Sequence, residues 1–170
     1  HDQTEALTMS DRVGVMFNGK VDQVATPEQI YNKPETKMVA AFIGSMNFFD
    51  TKFLEKSSKT TTVYHKDLGN IKLLKNNIFG VESSKLTIGL RPENLKIISN
   101  NVKNKPKSFT AKIVEKSFMG NTMLYSINLN ENYNNYNISV SDIKNSPNPN
   151  IGDEISVGFE EDDVVGYYEE

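Results

Sequence analysis

The sequence predicts a mainly β protein, a small barrel or sandwich preceded by a short α/β segment, and three observations carry that expectation. After Asn47 the apolar residues alternate instead of recurring every third or fourth position, which is the period of half-buried strands. Turn-rich tracts such as Asn100-Asn101 and Ser146-Pro147-Asn148-Pro149-Asn150 cut this stretch into short pieces, a pattern that suits a barrel or sandwich better than a parallel sheet. Residues 1–45, by contrast, are dense in helix punctuation.

Taken in order, Ala6 and Leu7 lie in a helix-compatible run that ends near Ser10, and Arg12 to Phe17 then alternates toward a strand. Asn18-Gly19 is a strong hairpin signal, because both central residues of a type I′ turn need positive φ; Lys20 to Ala25 is the expected return strand. Thr26-Pro27-Glu28-Gln29 announces a helix, with threonine as N-cap, proline at the first position and glutamine placed to complete a capping box. Pro34 is expected to open a second helix with Val39, Phe42 and Ile43 on one face and Gly44 as left-handed cap. So small a helix pair needs a larger body to cover that face. Strands are expected at 48–55, 60–66, 71–75, 85–91, 109–118, 122–129, 136–140, 154–159 and 164–168, with no clean internal repeat.

Composition narrows the function classes. A net charge of −3 and twenty asparagines describe a polar surface without the basic field that attracts a polyphosphate backbone, so no nucleic-acid partner is expected. The chain has no cysteine, which excludes disulfides, thiolate metal sites and a cysteine nucleophile. No apolar run approaches the ~20 residues of a membrane span and no basic secretory leader opens the sequence, so the expected location is cytoplasmic.

The run from His1-Asp2-Gln3-Thr4-Glu5 to Asp11-Arg12-Val13 closely resembles the switch-histidine loop of ABC transporter ATPases, in the importer group that includes maltose, polyamine and ferric-iron systems. Asn18-Gly19-Lys20, Gln23, Thr26-Pro27, Ile30-Tyr31, Pro34, Phe42-Ile43-Gly44 and Asn47 continue the resemblance without a gap. Farther on, Gly89-Leu90-Arg91-Pro92-Glu93, Met119-Gly120-Asn121 and Ile151-Gly152-Asp153 resemble elements of the transport-associated OB (TOBE) domain. The resemblance implies two domains, a remnant of the nucleotide-binding domain at 1–45 and an OB-like regulatory β-barrel at 46–170. It implies His1 as the catalytic switch histidine of the parent ATPase, ATP and magnesium as that subunit's cofactors, and a second ATPase copy and the membrane permeases as partners at the inner face of the membrane. Polyamine is the substrate it suggests first, with ferric iron, maltose-type sugars and glycerol phosphate behind it. The sequence has no Gly-x-x-x-x-Gly-Lys-Ser/Thr loop, Walker B carboxylate or ABC signature, so these residues alone are not expected to bind or hydrolyse nucleotide.

The remaining chemically suggestive residues read as structural. Arg91 and Glu93, which could recognise an anion or a partner, are expected to fix a turn around Pro92. Glu160-Glu161-Asp162-Asp163 is expected to be a solvated hairpin tip, since four successive carboxylates do not converge on one cation. His65 is expected at the surface, Tyr133, Tyr136, Tyr167 and Tyr168 in core packing or edge covering, and the sequon Asn137-Ile138-Ser139 is discounted. A free-standing OB-type module for a small anion or oligonucleotide is the rival reading, against which residues 1–45 argue; an independent hydrolase lacks a convergent nucleophile, base and oxyanion donor.

Overall fold

The Asn18-Gly19 turn sets the geometry at the N-terminal end: the two residues take φ values of 50° and 75°, as a type I′ turn demands. Antiparallel strands β1 (Val13–Phe17) and β2 (Lys20–Ala25) leave it with a register shift between Val15 and Met16. The structure, a computed structural model, describes residues 3–98, 106–129 and 135–169. Around the hairpin lie α1 (Gln3–Met9), α2 (Pro27–Asn32) and α3 (Lys37–Phe42).

The capping box of α2 forms as expected: Thr26 Oγ1 accepts from the Gln29 N–H and Gln29 Oε1 from the Thr26 N–H, each at 3.3 Å. The second helix starts later than Pro34. Its N-cap is Thr36, whose Oγ1 accepts from the Val39 N–H at 3.1 Å, while the Pro34 carbonyl is held by the Tyr167 hydroxyl at 3.1 Å. The helix starts at Thr36 because this residue, its hydroxyl also donating to Asp22 at 2.6 Å, offers the Val39 N–H a side-chain acceptor and Pro34 offers none. Gly44, with φ of 78°, follows the helix in the left-handed conformation expected of it.

The apolar stripe of α3 splits three ways. Val39 and Ile43 are buried against Val13, Val15 and Ile30, and Ala40 is buried against Val165 and Tyr167 of the last strand. Phe42, by contrast, is 48% exposed and meets only the edge of Phe17 within the aromatic contacts. The larger body that the helices lean on is therefore in part the barrel itself.

From Asn47 on, all nine expected strands form: β3 (Asn47–Lys56), β4 (Thr60–His65), β5 (Gly69–Leu74), β7 (Lys85–Leu90), β9 (Lys107–Phe118), β10 (Met123–Asn128), β11 (Asn135–Val140), β12 (Glu154–Phe159) and β13 (Val165–Tyr168). Two more, β6 (Ile78–Phe79) and β8 (Lys96–Ile98), are too short for an alternating pattern to reveal. They assemble into two curled sheets, ordered β5-β4-β3-β7-β13-β6 and β11-β10-β9-β12-β8. The inner faces share one core that includes Phe49, Ile71, Leu73, Ile88, Ile113, Tyr125, Ile127, Ile138 and Val157.

The two orders repeat each other strand for strand, β5, β4, β3, β7 and β13 matching β11, β10, β9, β12 and β8. Each half sends its last strand into the other sheet: Gly89 pairs with Val165 in one, and Gly158 with Lys96 in the other. Both crossovers pass through a 3-10 turn, Pro92–Asn94 and Glu161–Asp163. The duplication escapes the sequence because it survives only as a pattern, Ile88-Gly89-Leu90 then Leu95 against Val157-Gly158-Phe159 then Val164.

Candidate functional site

One buried charged side chain, Arg91, lies where the helices meet the barrel. Pro92 fixes the first position of the 3-10 turn, which leaves Arg91 at the end of β7 with its side chain directed under the helices and 4% exposed. Its Nη1 donates to the carbonyls of Ala40 at 3.1 Å and Ser45 at 2.9 Å, and its Nη2 to the carbonyl of Tyr31 at 2.8 Å. Tyr31 and Ala40 lie in the last turns of α2 and α3, where carbonyls have no intrahelical donor and a cation is favoured.

The same guanidinium stacks on the Tyr31 ring, 4.2 Å from its centroid, and the Tyr31 hydroxyl donates to Glu93 on the far side of the turn. Burial, followed by that bond to a carboxylate, pushes the Tyr31 pKa up to about 12. Two further ties join the parts. Lys37 pairs with Glu169 at 2.8 Å, where the carboxylate also accepts from the Thr87 hydroxyl, and these bonds hold the Glu169 carboxyl below the usual carboxylate range. Tyr167 supplies the other, through Pro34.

Arg91 and Glu93 thus act structurally, as the sequence suggested, but across sixty residues and not merely within their turn. A second clamp was not legible as such. Asn47 in β3 donates to the Asn137 carbonyl and accepts from the Asn137 N–H, both at 2.8 Å, so its amide mimics a strand and links the two sheets.

Other candidates are accounted for by their neighbours. His1 and Tyr133 lie outside the described residues. His65 is 9% exposed instead of lying on the surface: it ends β4 with its ring edge-on to Phe49, and Nδ1 accepts from the N–H groups of Asp67 and Leu68. The acidic run forms the second 3-10 turn, where Glu161 accepts from the Lys72 N–H at 2.8 Å and pairs with Lys107 at 2.9 Å. Tyr136 stacks on Phe49 in the core and Tyr167 is buried. Among the described residues no group of three or more His, Asp or Glu converges as a metal site, and no helix is long and apolar enough to cross a membrane.

Residues 88–166, which begin just before Arg91 and include both crossovers, match the TOBE domain family. The chain is 36% identical over 152 residues to the spermidine/putrescine import ATP-binding protein PotA of Haemophilus ducreyi, and 34% identical over 152 residues to that of Salmonella typhimurium. Each alignment takes in 89% of this chain. The chain carries a TOBE domain and is similar to the C-terminal part of ABC importer ATP-binding subunits. It spans about 40% of the length of these curated relatives. The TOBE fold here is OB-like: the chain superposes with a TM-score of 0.53 on the cytoplasmic molybdate-binding protein ModG at 9% identity, over 71% of this chain and 94% of that one. That likeness concerns the fold alone.

Proposed function

We propose that this chain forms the regulatory end of the ATP-hydrolysing subunit of a polyamine importer, with residues 1–45 as the closing elements of its nucleotide-binding domain and 46–170 as its barrel domain. The barrel would hold two such subunits together beneath the permeases, on the cytoplasmic side of the membrane. The observation that carries the reading is the Arg91 clamp: the TOBE crossover is built around the carbonyls of α2 and α3, so the barrel is a fixed partner of the segment that resembles the exit of the nucleotide domain. A free-standing OB module has no use for such a clamp. The PotA relatives name spermidine and putrescine as the transported compounds, and importing them is the activity proposed for the complete subunit.

Within the proposed subunit ATP is the substrate; the sequence has no phosphate-loop motif, and among the described residues no group of three or more His, Asp or Glu converges as a metal site. The role proposed for His1 is to orient the attacking water and donate to a phosphoryl oxygen as charge develops there. The test is uptake of radiolabelled spermidine by a host lacking its own polyamine importers, supplied with the complete subunit and its permeases. Uptake that requires the subunit supports the reading; transport of a sugar or ferric iron in place of polyamine refutes the substrate. His1→Ala in the same system is expected to lower ATP turnover by roughly 10²–10³ with little change in nucleotide affinity, and near-normal turnover removes His1 from the mechanism.

A further inference from the structure

The duplication can be followed residue by residue through the strand registers. Asn47 stands opposite Leu90, the residue after the crossover Gly89, and Lys107 stands opposite Phe159, the residue after Gly158. Outward from there Phe53 is opposite Val63 and Val63 opposite Ile71, just as Ile113 is opposite Ile127 and Ile127 opposite Tyr136. The register shifts recur too, between Phe53 and Glu55 in one half and between Ser126 and Ile127 in the other. Asn47 is thus equivalent to Lys107, and Asn137 of β11 to Lys72 of β5. These two strands end their sheets among the described residues, and the 3-10 turns lie alongside, Pro92–Asn94 by β11 and Glu161–Asp163 by β5.

The two edges are sealed differently. Asn47 reaches over from β3 and takes both the N–H and the carbonyl of Asn137 at 2.8 Å. The Lys107 ammonium cannot accept, and Glu161 stands in for it: the carboxylate accepts from the Lys72 N–H at 2.8 Å and pairs with Lys107 at 2.9 Å. The strands differ in charge as well. β5 presents the exposed Lys72, whereas Asn135–Val140 holds Tyr136, Ile138 and Val140 and no Lys, Arg, Asp, Glu or Pro. An uncharged edge of this composition pairs readily with another chain, and a lysine is a common deterrent. The two-bond seal therefore lies on the edge that lacks the charge.

We propose that Asn47 is an edge guard: its amide fills the place of a neighbouring strand on β11 and keeps that edge from pairing with β11 of a second copy of this chain. A side chain that donates and accepts as a peptide group does leaves Asn137 nothing to offer a ladder. On β5 the same task falls to the charge of Lys72, helped by the single bond from its N–H to Glu161. The guard is a property of the barrel itself, independent of the compound transported.

The experiment uses the full 170-residue chain, isotope-labelled, with hydrogen exchange of the position-137 amide followed from micromolar to millimolar protein. In the parent the rate is expected to be the same throughout. In Asn47→Ala it is expected to be faster at the low end and to slow by about tenfold at the high end, as a second copy takes up the edge. Asn47→Ser, too short to span both groups of Asn137, carries the same expectation where the alanine variant does not fold. Adding Asn137→Lys gives β11 the charge that β5 has at the equivalent position, and is expected to remove the concentration dependence. Asn47→Asp, which still accepts the N–H and brings a charge of its own, is expected to show none. A faster but concentration-independent rate in Asn47→Ala overturns the proposal, because Asn47 would then only join the two sheets. So does a parent rate that already slows with concentration, or a concentration dependence that Asn137→Lys leaves in place.

Discussion

Arg91 and Tyr31 face each other across the junction, guanidinium over ring at 4.2 Å, while the same guanidinium holds the Tyr31 carbonyl at 2.8 Å. One side chain of the barrel therefore grips both the backbone and the ring of one residue in α2, and adds the carbonyls of Ala40 and Ser45.

Replacing Arg91 tests how much of the junction rests on this grip. Arg91→Ala leaves three carbonyls without their donor in a site closed to water and is expected to cost about 3–5 kcal/mol in urea-induced unfolding. Arg91→Lys keeps the charge, but one ammonium cannot reproduce the planar fork, so a loss of about half that size is expected. Equal stability of the lysine variant and the parent would mean that charge alone, not fork geometry, holds the junction.

Gly44 is constrained from two sides. Its φ of 78° strains any other residue, and a Cβ there would stand 3.2 Å from Tyr31 Cε2 and 3.4 Å from Arg91 Nη1. Gly44→Ala is expected to lose about 1–3 kcal/mol, with the change reported by the environment of Tyr31 in near-ultraviolet circular dichroism. Gly19, which also has positive φ but meets nothing within 4 Å, should lose only the backbone part.

The duplicated crossovers offer an internal comparison. A Cβ on Gly158 would lie 2.7 Å from Pro106 Cγ, whereas one on Gly89 would meet Met46 Sδ and Val165 Cγ2 at 3.1 Å. A methionine side chain yields and a proline ring does not. Thermal unfolding is therefore expected to show Gly158→Ala as the more damaging of the two, by roughly 1–2 kcal/mol.

The local structure was legible because local chemistry fixes it: Asn18-Gly19 turns, Thr26 to Gln29 caps, and the alternation of strands such as Met123–Asn128 all act within a few residues. What the sequence hid depends on distance. Nothing near Arg91 says that its partners are Tyr31, Ala40 and Ser45, and nothing near Asn47 says that it will pair with Asn137. The strand exchange was hidden for a related reason. Leu95 and Val164, or Gly89 and Gly158, are equivalent by position in the two halves while their flanking residues differ. His65 was misplaced at the surface because Tyr64 and Lys66 on either side face outward, and a strand alternates its burial residue by residue.

That buried histidine is expected to give the protein a pH response. His65 Nδ1 accepts N–H bonds from Asp67 at 3.2 Å and Leu68 at 3.4 Å, so in the folded state this nitrogen carries no proton. Burial lowers the pKa of His65, against the opposing pull of Asp67, with Lys66 adding to the lowering and Asp50 opposing it. A base whose pKa is lower folded than unfolded takes up its proton first in the unfolded chain. Stability is thus retained above the unfolded value of ~6.5 and falls as the pH drops below it, levelling only once the folded pKa is passed. Unfolding free energies measured across this interval should decline for the parent beyond what the carboxylates contribute. His65→Asn keeps an acceptor for the same two N–H groups in an Asx-type turn and does not titrate, so its decline should be shallower. Parallel curves for the two proteins would show that His65 has the same proton affinity folded and unfolded.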